Sequence, residues 1–252
     1  MARRRGGGDK LFNQKKEEKK QNEFKRVTNN KRTVDDIVIA CEDSVSAPTY
    51  FKKLVKNLIK QKVITQDSFV IVEPSHTNPN GVLTDLKSYE SKTGKKYSDF
   101  DHKWIVIDRD VERVNGGGHT KEDFNNALQN AKNKKKAYRI EIAYANDSFE
   151  LWYLLHFVYR DTPILRDEIT KEVIKKLKVL NPQKFSTLTK DNIKKEENTN
   201  LIFDEILHLQ DNAIKNAKKL LEKHEEIGHN PESDNPCTTV HKLVEILNKI
   251  KK

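Results

Sequence analysis

The sequence predicts an α/β fold in which a mainly parallel sheet is flanked by helices, with a C-terminal helical extension. Between residues 35 and 160, short apolar runs rich in β-branched residues alternate four times with segments of helical periodicity. Such alternation is typical of parallel strands joined by crossover helices. After residue 160 the chain has only helical patterns, which indicates a separate helical region.

Four segments are predicted to be strands. Each is a short run of mostly apolar residues bounded by polar or turn-forming residues. The predicted strands are residues 37–41 (IVIAC), 69–74 (FVIVEP), 103–108 (KWIVID) and 137–144 (AYRIEIAY). In parallel sheets, functional groups gather beyond the carboxyl ends of the strands, so the residues after each run are of most interest.

The first predicted helix begins near Ser46, a residue suited to capping, with Pro48 in the first turn. Its apolar residues, from Tyr50 to Ile59, recur at helical spacing. The other predicted helices are residues 81–92, 120–133, 148–159, 162–180, 200–226 and 238–251.

The charge distribution divides the chain into three predicted regions: a disordered basic tail (1–34), an α/β domain (35–160) and a helical extension (161–252). The tail has 12 basic and 4 acidic residues, a net charge of +8, whereas the rest of the chain has 36 basic and 34 acidic residues, a net of +2. Candidate nucleic-acid-binding residues in the tail are Arg3, Arg4, Arg5, Lys15, Lys16, Lys19 and Lys20. The tail could equally serve only to keep the chain soluble.

Several function classes are disfavoured by what the sequence lacks. It has no apolar run long enough to span a membrane, and Arg3–Arg5 are not followed by the apolar stretch of a secretory signal. The two cysteines, Cys41 and Cys237, are expected to be reduced thiols in a cytoplasmic protein. No Walker A motif indicates ATP hydrolysis by this chain, and no Cys/His cluster indicates zinc.

Acidic residues follow the predicted strands. Glu42 comes directly after the first strand, and Asp108 ends the third, with Asp110 two residues further on. In an extended chain alternate side chains share a face, so Asp108 and Asp110 would repel each other. A Mg²⁺ ion would remove this repulsion, and Glu42 could add a third ligand or act as an acid/base group. The same acids could instead only end strands and cap turns.

Three further residues allow two interpretations each. Glu150 could be another metal ligand, or it could form a capping box with Asp147 at the start of its own helix. His119, after the glycine run 116–118, could reach the acidic site or belong to a flexible loop. His156 is expected to pack in the core rather than to catalyse. A basic run formed by Lys132, Lys134, Lys135 and Lys136 reads as a solvated face that could also meet nucleic acid.

Four segments in this order resemble the RloB family, a Toprim-related group found in phage-defence loci and akin to the AbiLii abortive-infection component. They are residues 37–51 (IVIACEDSVSAPTYF), 104–110 (WIVIDRD), 146–157 (NDSFELWYLLHF) and 235–244 (NPCTTVHKLV). The Toprim pattern places a Glu after the first strand and Asp-x-Asp after a later one, which Glu42 and Asp108 with Asp110 match. One departure is Asp43, because a Gly commonly follows the Toprim Glu.

The resemblance implies a Toprim-like, Rossmann-like fold and Mg²⁺-dependent phosphodiester chemistry, with Mn²⁺ as a substitute metal. The function it implies is a nuclease acting on DNA or RNA in antiphage defence, controlled by an ATPase partner. The chain is also expected to be able to form a homo-oligomer. The alternative is a non-catalytic Toprim-like module that binds or senses within a defence complex. An aspartyl-phosphate phosphatase is disfavoured, because its motif lies on the first strand and has Thr or Val where this chain has Glu112.

Overall fold

The described strands form one five-stranded sheet in the order β2-β1-β3-β4-β5. The strands are β1 (Ile37–Cys41), β2 (Phe69–Val72), β3 (His102–Asp108), β4 (Glu141–Asn146) and β5 (Cys237–Thr238). The first four are parallel to one another, and β5 is antiparallel to β4. The predicted α/β fold with a mainly parallel sheet is therefore confirmed. The two-residue strand β5 was not predicted, because it is too short to carry a periodic pattern.

The structure, a computed structural model, describes residues 35–60, 64, 66–111 and 118–250. Residues Asp36–Lys252 form one compact unit. The predictions for residues 1–34, both the disorder and the seven candidate nucleic-acid-binding residues, lie outside the described residues. The division at residues 160 and 161 stays a prediction about regions of the sequence.

Most predicted helices are present, with shifted ends. The α-helices of the described chain are α1 (Ser46–Lys60), α2 (Pro79–Ser88), α3 (Lys121–Ala131), α4 (Glu150–Phe157), α5 (Arg166–Leu180), α6 (Glu196–Ile206), α7 (Gln210–Ile227) and α8 (Val240–Ile250). The segment predicted as one helix over 200–226 is two helices, α6 and α7, separated by a 3₁₀ turn at Leu207–Leu209. None of the described helices is both long and apolar enough to cross a bilayer.

The sheet is buried on both faces. On one face, Val38 and Ile107 pack in a core with Leu86 of α2 and Phe124 of α3. The alternate strand residues, such as Ile39, are also buried and must face the opposite side of the sheet. Burial of both sets explains why the strands read as nearly continuous apolar runs rather than as alternating ones.

The parallel strands place three polar positions at one edge of the sheet. Glu42, Asp108 and Asn146 lie at or just beyond the carboxyl ends of β1, β3 and β4, which are neighbours. The lysine-rich run at residues 132–136 leads into the amino end of β4 instead. That run therefore lies toward the opposite edge of the sheet from the acidic residues.

Candidate active site

Glu42 is tied to the end of β3. Its backbone N–H donates to the Val106 carbonyl at 2.9 Å, and its side-chain Oε2 accepts from the Asp108 backbone N–H at 3.0 Å. The other oxygen, Oε1, lies 3.5 Å from Nδ1 of His119. The structure thus brings Glu42, Asp108 and His119 together, in a region where Glu42 is only slightly exposed.

Asp108 and Asp110 converge on one guanidinium. Nη2 of Arg166 lies 2.9 Å from Asp108 Oδ2 and 3.2 Å from Asp110 Oδ2. Between the two acids, Arg109 points elsewhere, since its Nε donates to the Glu232 carbonyl at 3.2 Å. This alternation gives the two carboxylates the shared direction that an extended chain predicts.

Glu150, the first residue of α4, is completely buried. Its Oε1 accepts from the Ser46 hydroxyl at 3.1 Å and lies 3.2 Å from Nζ of Lys194. The predicted capping box is wrong, because the N-cap of α4 is Phe149 and no side chain caps it. Asp147 instead accepts from the backbone N–H groups of Val111 and Arg166, at 3.1 and 2.9 Å.

Asp43, the departure from the Toprim pattern, caps α1. Its carboxylate accepts from the backbone N–H groups of Val45 at 3.3 Å and Ala47 at 3.0 Å. The predicted N-cap, Ser46, is already part of the helix, and its hydroxyl binds Glu150 instead. Asp43 therefore supports the loop after Glu42, since both of its oxygens are engaged by the backbone.

The pKa values of Asp108 and Glu150 are shifted in opposite directions. Burial raises the pKa of Asp108 well above its ordinary value; Arg166 offsets part of this effect, and Glu42 adds to it. Burial acts in the same direction on Glu150, but the charges of Lys194 and Arg166 outweigh it and lower the pKa of Glu150. The pKa of Lys194 is raised, because the attraction of Glu150 and Asp43 outweighs burial. Glu150 and Lys194 therefore form an ionised pair, whereas for Asp108 the charge of Arg166 does not outweigh burial.

The carboxylate oxygens of the site are the kind of ligand that a hard divalent cation prefers. Asp108 and Asp110 offer carboxylate oxygens to one point, where the guanidinium of Arg166 contacts both of them. Glu150 Oε2 is buried and makes no hydrogen bond within the described residues, so it retains a lone pair for a ligand. In this conformation, however, no three His, Cys, Asp or Glu side chains among the described residues surround a metal position. Nη2 of Arg166 lies at the point on which Asp108 and Asp110 converge.

Two cations of the site were not predicted from the sequence. Arg166 is the first residue of α5, and Lys194 lies in the loop before α6. The positive end of a helix favours acids, so an Arg at that position is a weak signal that an anionic group lies nearby. Lys194 stands in a loop with several other lysines and has no distinguishing pattern.

A basic groove of about 570 Å³ lies between α1, β2 and α6. Its wall carries Lys52, Lys53, Lys56 and Lys60, over an apolar floor. Lys53 pairs with Asp204 at 2.6 Å, whereas Lys52 and Lys56 are exposed. The helix α1 forms one wall of the groove and begins four residues after Glu42.

His156 is buried in the core, as predicted. Its Nδ1 lies 2.8 Å from the Trp152 carbonyl, and its ring packs edge-on against the rings of Trp152 and Tyr50. Burial lowers its pKa to about 4, so the imidazole is neutral at physiological pH.

Comparison with known proteins gives one match. The model of a family described as RloB-like protein matches residues 37–247, which include every candidate acid of the site. The family resemblance noted in the sequence is thereby confirmed. Neither the curated proteins nor the solved structures contain a match to this chain.

Proposed function

Because the chain belongs to the family of RloB-like proteins, we propose that it is a Mg²⁺-dependent nuclease that hydrolyses phosphodiester bonds of DNA or RNA in antiphage defence. One observation carries the proposal. Asp108 and Asp110, at the end of a central strand, both contact the guanidinium of Arg166, and Glu42 lies beside Asp108. This is the edge of a parallel sheet where functional groups gather.

The acids have distinct proposed roles. Asp108 and Asp110 would hold Mg²⁺, or Mn²⁺ in its place, and Glu42 would be a further ligand or the base that receives a proton from water. When bound, the cation would activate water and stabilise charge on the phosphate. Nδ1 of His119 lies 3.5 Å from Oε1 of Glu42, which supports a proposed proton exchange with that carboxylate. Glu150 would contribute through its buried Oε2, which makes no hydrogen bond within the described residues, or by holding Lys194 near the site.

Nucleic-acid binding is supported by charge. The exposed Lys52 and Lys56 border a groove along the helix that starts next to Glu42. The tail at residues 1–34 adds a net charge of +8. Phosphate neutralisation by such groups supplies most sequence-independent affinity.

The last part of the proposal concerns the regulation of the nuclease by a partner protein. A nuclease that aborts infection must be restrained, and we propose that an ATPase encoded beside it supplies this control. We also propose that the protein acts in the cytoplasm, with Cys41 and Cys237 as free thiols, and that it can form a homo-oligomer. Both cysteines are buried and unpaired with each other, which is compatible with a reducing compartment.

The decisive experiment is a cleavage assay with the full-length protein. Labelled single- and double-stranded DNA and RNA are incubated with Mg²⁺, Mn²⁺ or EDTA, with and without the ATPase. Asp108→Asn and Asp110→Asn should each lower the metal-dependent rate at least about 100-fold, about 2.7 kcal/mol, with unchanged circular dichroism. Asp211→Asn, at an exposed acid on α7, is the matched control and should cleave normally.

A second candidate function is a non-catalytic module that binds or senses nucleic acid. It is favoured by the ion pairs of Arg166, which engage both aspartates without a metal. On this alternative the protein binds nucleic acid equally well with Mg²⁺ and with EDTA. It then cleaves none of the substrates, even in the presence of the ATPase.

A further inference from the structure

Arg166 is bound to the two aspartates through a single nitrogen. Nη2 makes both contacts, at 2.9 Å to Asp108 and 3.2 Å to Asp110, whereas Nε is buried and makes no hydrogen bond within the described residues. An Arg that grips one carboxylate with two parallel hydrogen bonds is held more firmly than this. The contact therefore neutralises charge without locking the guanidinium in place.

The backbone of Arg166 is anchored independently of its side chain. Its N–H donates to Asp147 Oδ2 at 2.9 Å, while Asp147 Oδ1 accepts from Val111, next to Asp110. Asp147 thus holds the start of α5 against the end of β3. If the guanidinium leaves the two aspartates, it must stay within a side chain's length of them.

The charges favour replacement of the guanidinium by a divalent ion. Asp108 and Asp110 share the guanidinium of Arg166, Glu42 lies beside Asp108, and the nearby Lys194 is paired with Glu150. A small ion with two charges balances the two aspartates, whereas a guanidinium balances one. Mg²⁺ also prefers carboxylate oxygens, which are the atoms now in contact with Nη2.

We propose that Arg166 is a stand-in cation: it occupies the position between Asp108 and Asp110 until a divalent ion displaces it, and its released guanidinium then binds a phosphate group at the same site. A guanidinium suits this second role, because its planar donors match phosphate oxygens. The inference rests on the proposed function, since it concerns the ion that Asp108 and Asp110 would hold.

The test measures metal binding without any substrate. Mn²⁺ is titrated into the full-length protein, and the free ion is followed by electron paramagnetic resonance. Arg166→Gln removes the competing charge, so it should bind Mn²⁺ at least about tenfold more tightly than the wild type. Lys175→Gln, an exposed position on the same helix, makes the same charge change and should bind like the wild type.

The outcomes separate this inference from the proposed function. Equal or weaker Mn²⁺ binding by Arg166→Gln, with normal binding by the wild type, overturns the stand-in role alone. If neither protein binds Mn²⁺, the proposed metal site fails and the inference fails with it. Tighter binding by both variants would mean that net charge matters rather than Arg166, and would also overturn the inference.

A second measurement covers the case in which Arg166→Gln does not fold. The Nε–Hε resonance of Arg166, assigned by its loss in Arg166→Lys, is followed in the wild type during titration with Mg²⁺. We expect it to shift and to saturate together with metal binding. An unchanged resonance in a protein that binds Mg²⁺ would show that the guanidinium does not move.

Discussion

Nζ of Lys194 lies 3.2 Å from Oε1 of Glu150, a carboxylate with no exposed surface. The pair joins the loop before α6 to the first residue of α4, at the carboxyl edge of the sheet. A buried charge without a partner is costly, so Glu150 depends on Lys194, whose own side chain is 38% exposed. The contribution of this pair can therefore be measured as a free energy of unfolding, without an activity assay.

Removing Lys194 should therefore destabilise the protein. Lys194→Met leaves the Glu150 carboxylate buried without its ammonium, and we expect the free energy of unfolding to fall by about 3 kcal/mol in urea titrations. Lys218→Met breaks an exposed Lys–Glu pair with Glu245 and should cost less than about 1 kcal/mol. The double variant Lys194→Met with Glu150→Gln should recover part of the loss. Equal effects of the two single lysine changes would contradict a buried ion pair.

Asp43 should act on stability rather than on metal binding. Asp43→Ala removes the acceptor for the Val45 and Ala47 N–H groups, and we expect a loss of about 1 kcal/mol in the free energy of unfolding. Asp43→Asn keeps an acceptor and should lose less. Calorimetric Mg²⁺ affinity should be the same for Asp43→Asn and the wild type. A clear drop in affinity would instead make Asp43 a ligand.

The buried His156 should make stability depend on pH. Burial lowers its pKa to about 4, so between that value and its ordinary pKa of about 6.5 the unfolded chain binds a proton that the folded protein does not. The free energy of unfolding should therefore fall as the pH is lowered through this window. His156→Asn cannot titrate and should reduce that slope by up to about 1.4 kcal/mol per pH unit.

Urea unfolding at pH 5, 6 and 7 checks this prediction. Lys175→Gln, an exposed change that removes no histidine, is the control and should keep the slope of the wild type. Parallel pH profiles for His156→Asn and the wild type would place the dependence elsewhere, for example at His241, whose pKa burial also lowers to about 4.

The tail lysines should govern nonspecific binding. Changing Lys15, Lys16, Lys19 and Lys20 to Gln in the full-length chain should weaken single-stranded DNA binding in EDTA and reduce the slope of log affinity against log salt by about 3. The matched control changes Lys132, Lys134, Lys135 and Lys136, toward the opposite edge of the sheet from the acids. Fluorescence anisotropy at several salt concentrations gives both slopes. A tail variant with the slope of the wild type would leave the tail only a solubilising role.

The amino-acid sequence alone was enough to predict the fold class and the positions of the acids. Strand runs are local patterns, and parallel order follows from their alternation with helices. Glu42 and Asp108 meet because the carboxyl ends of parallel neighbours share an edge, which needs no knowledge of side-chain packing. Asp108 and Asp110 point the same way because strand side chains alternate.

Only the tertiary structure decided which groups complete the site. Arg166 and Lys194 reach the acids from segments far along the chain, and Ser46 turns to Glu150 rather than to its own helix. The helical periodicity of residues 200–226 gave no sign of the break between α6 and α7. Gln210, at the start of α7, donates a hydrogen bond to the Tyr50 hydroxyl at 3.0 Å. The physical reason is common to these cases: local patterns encode how a segment folds, whereas the partner of a buried polar group depends on how distant segments pack.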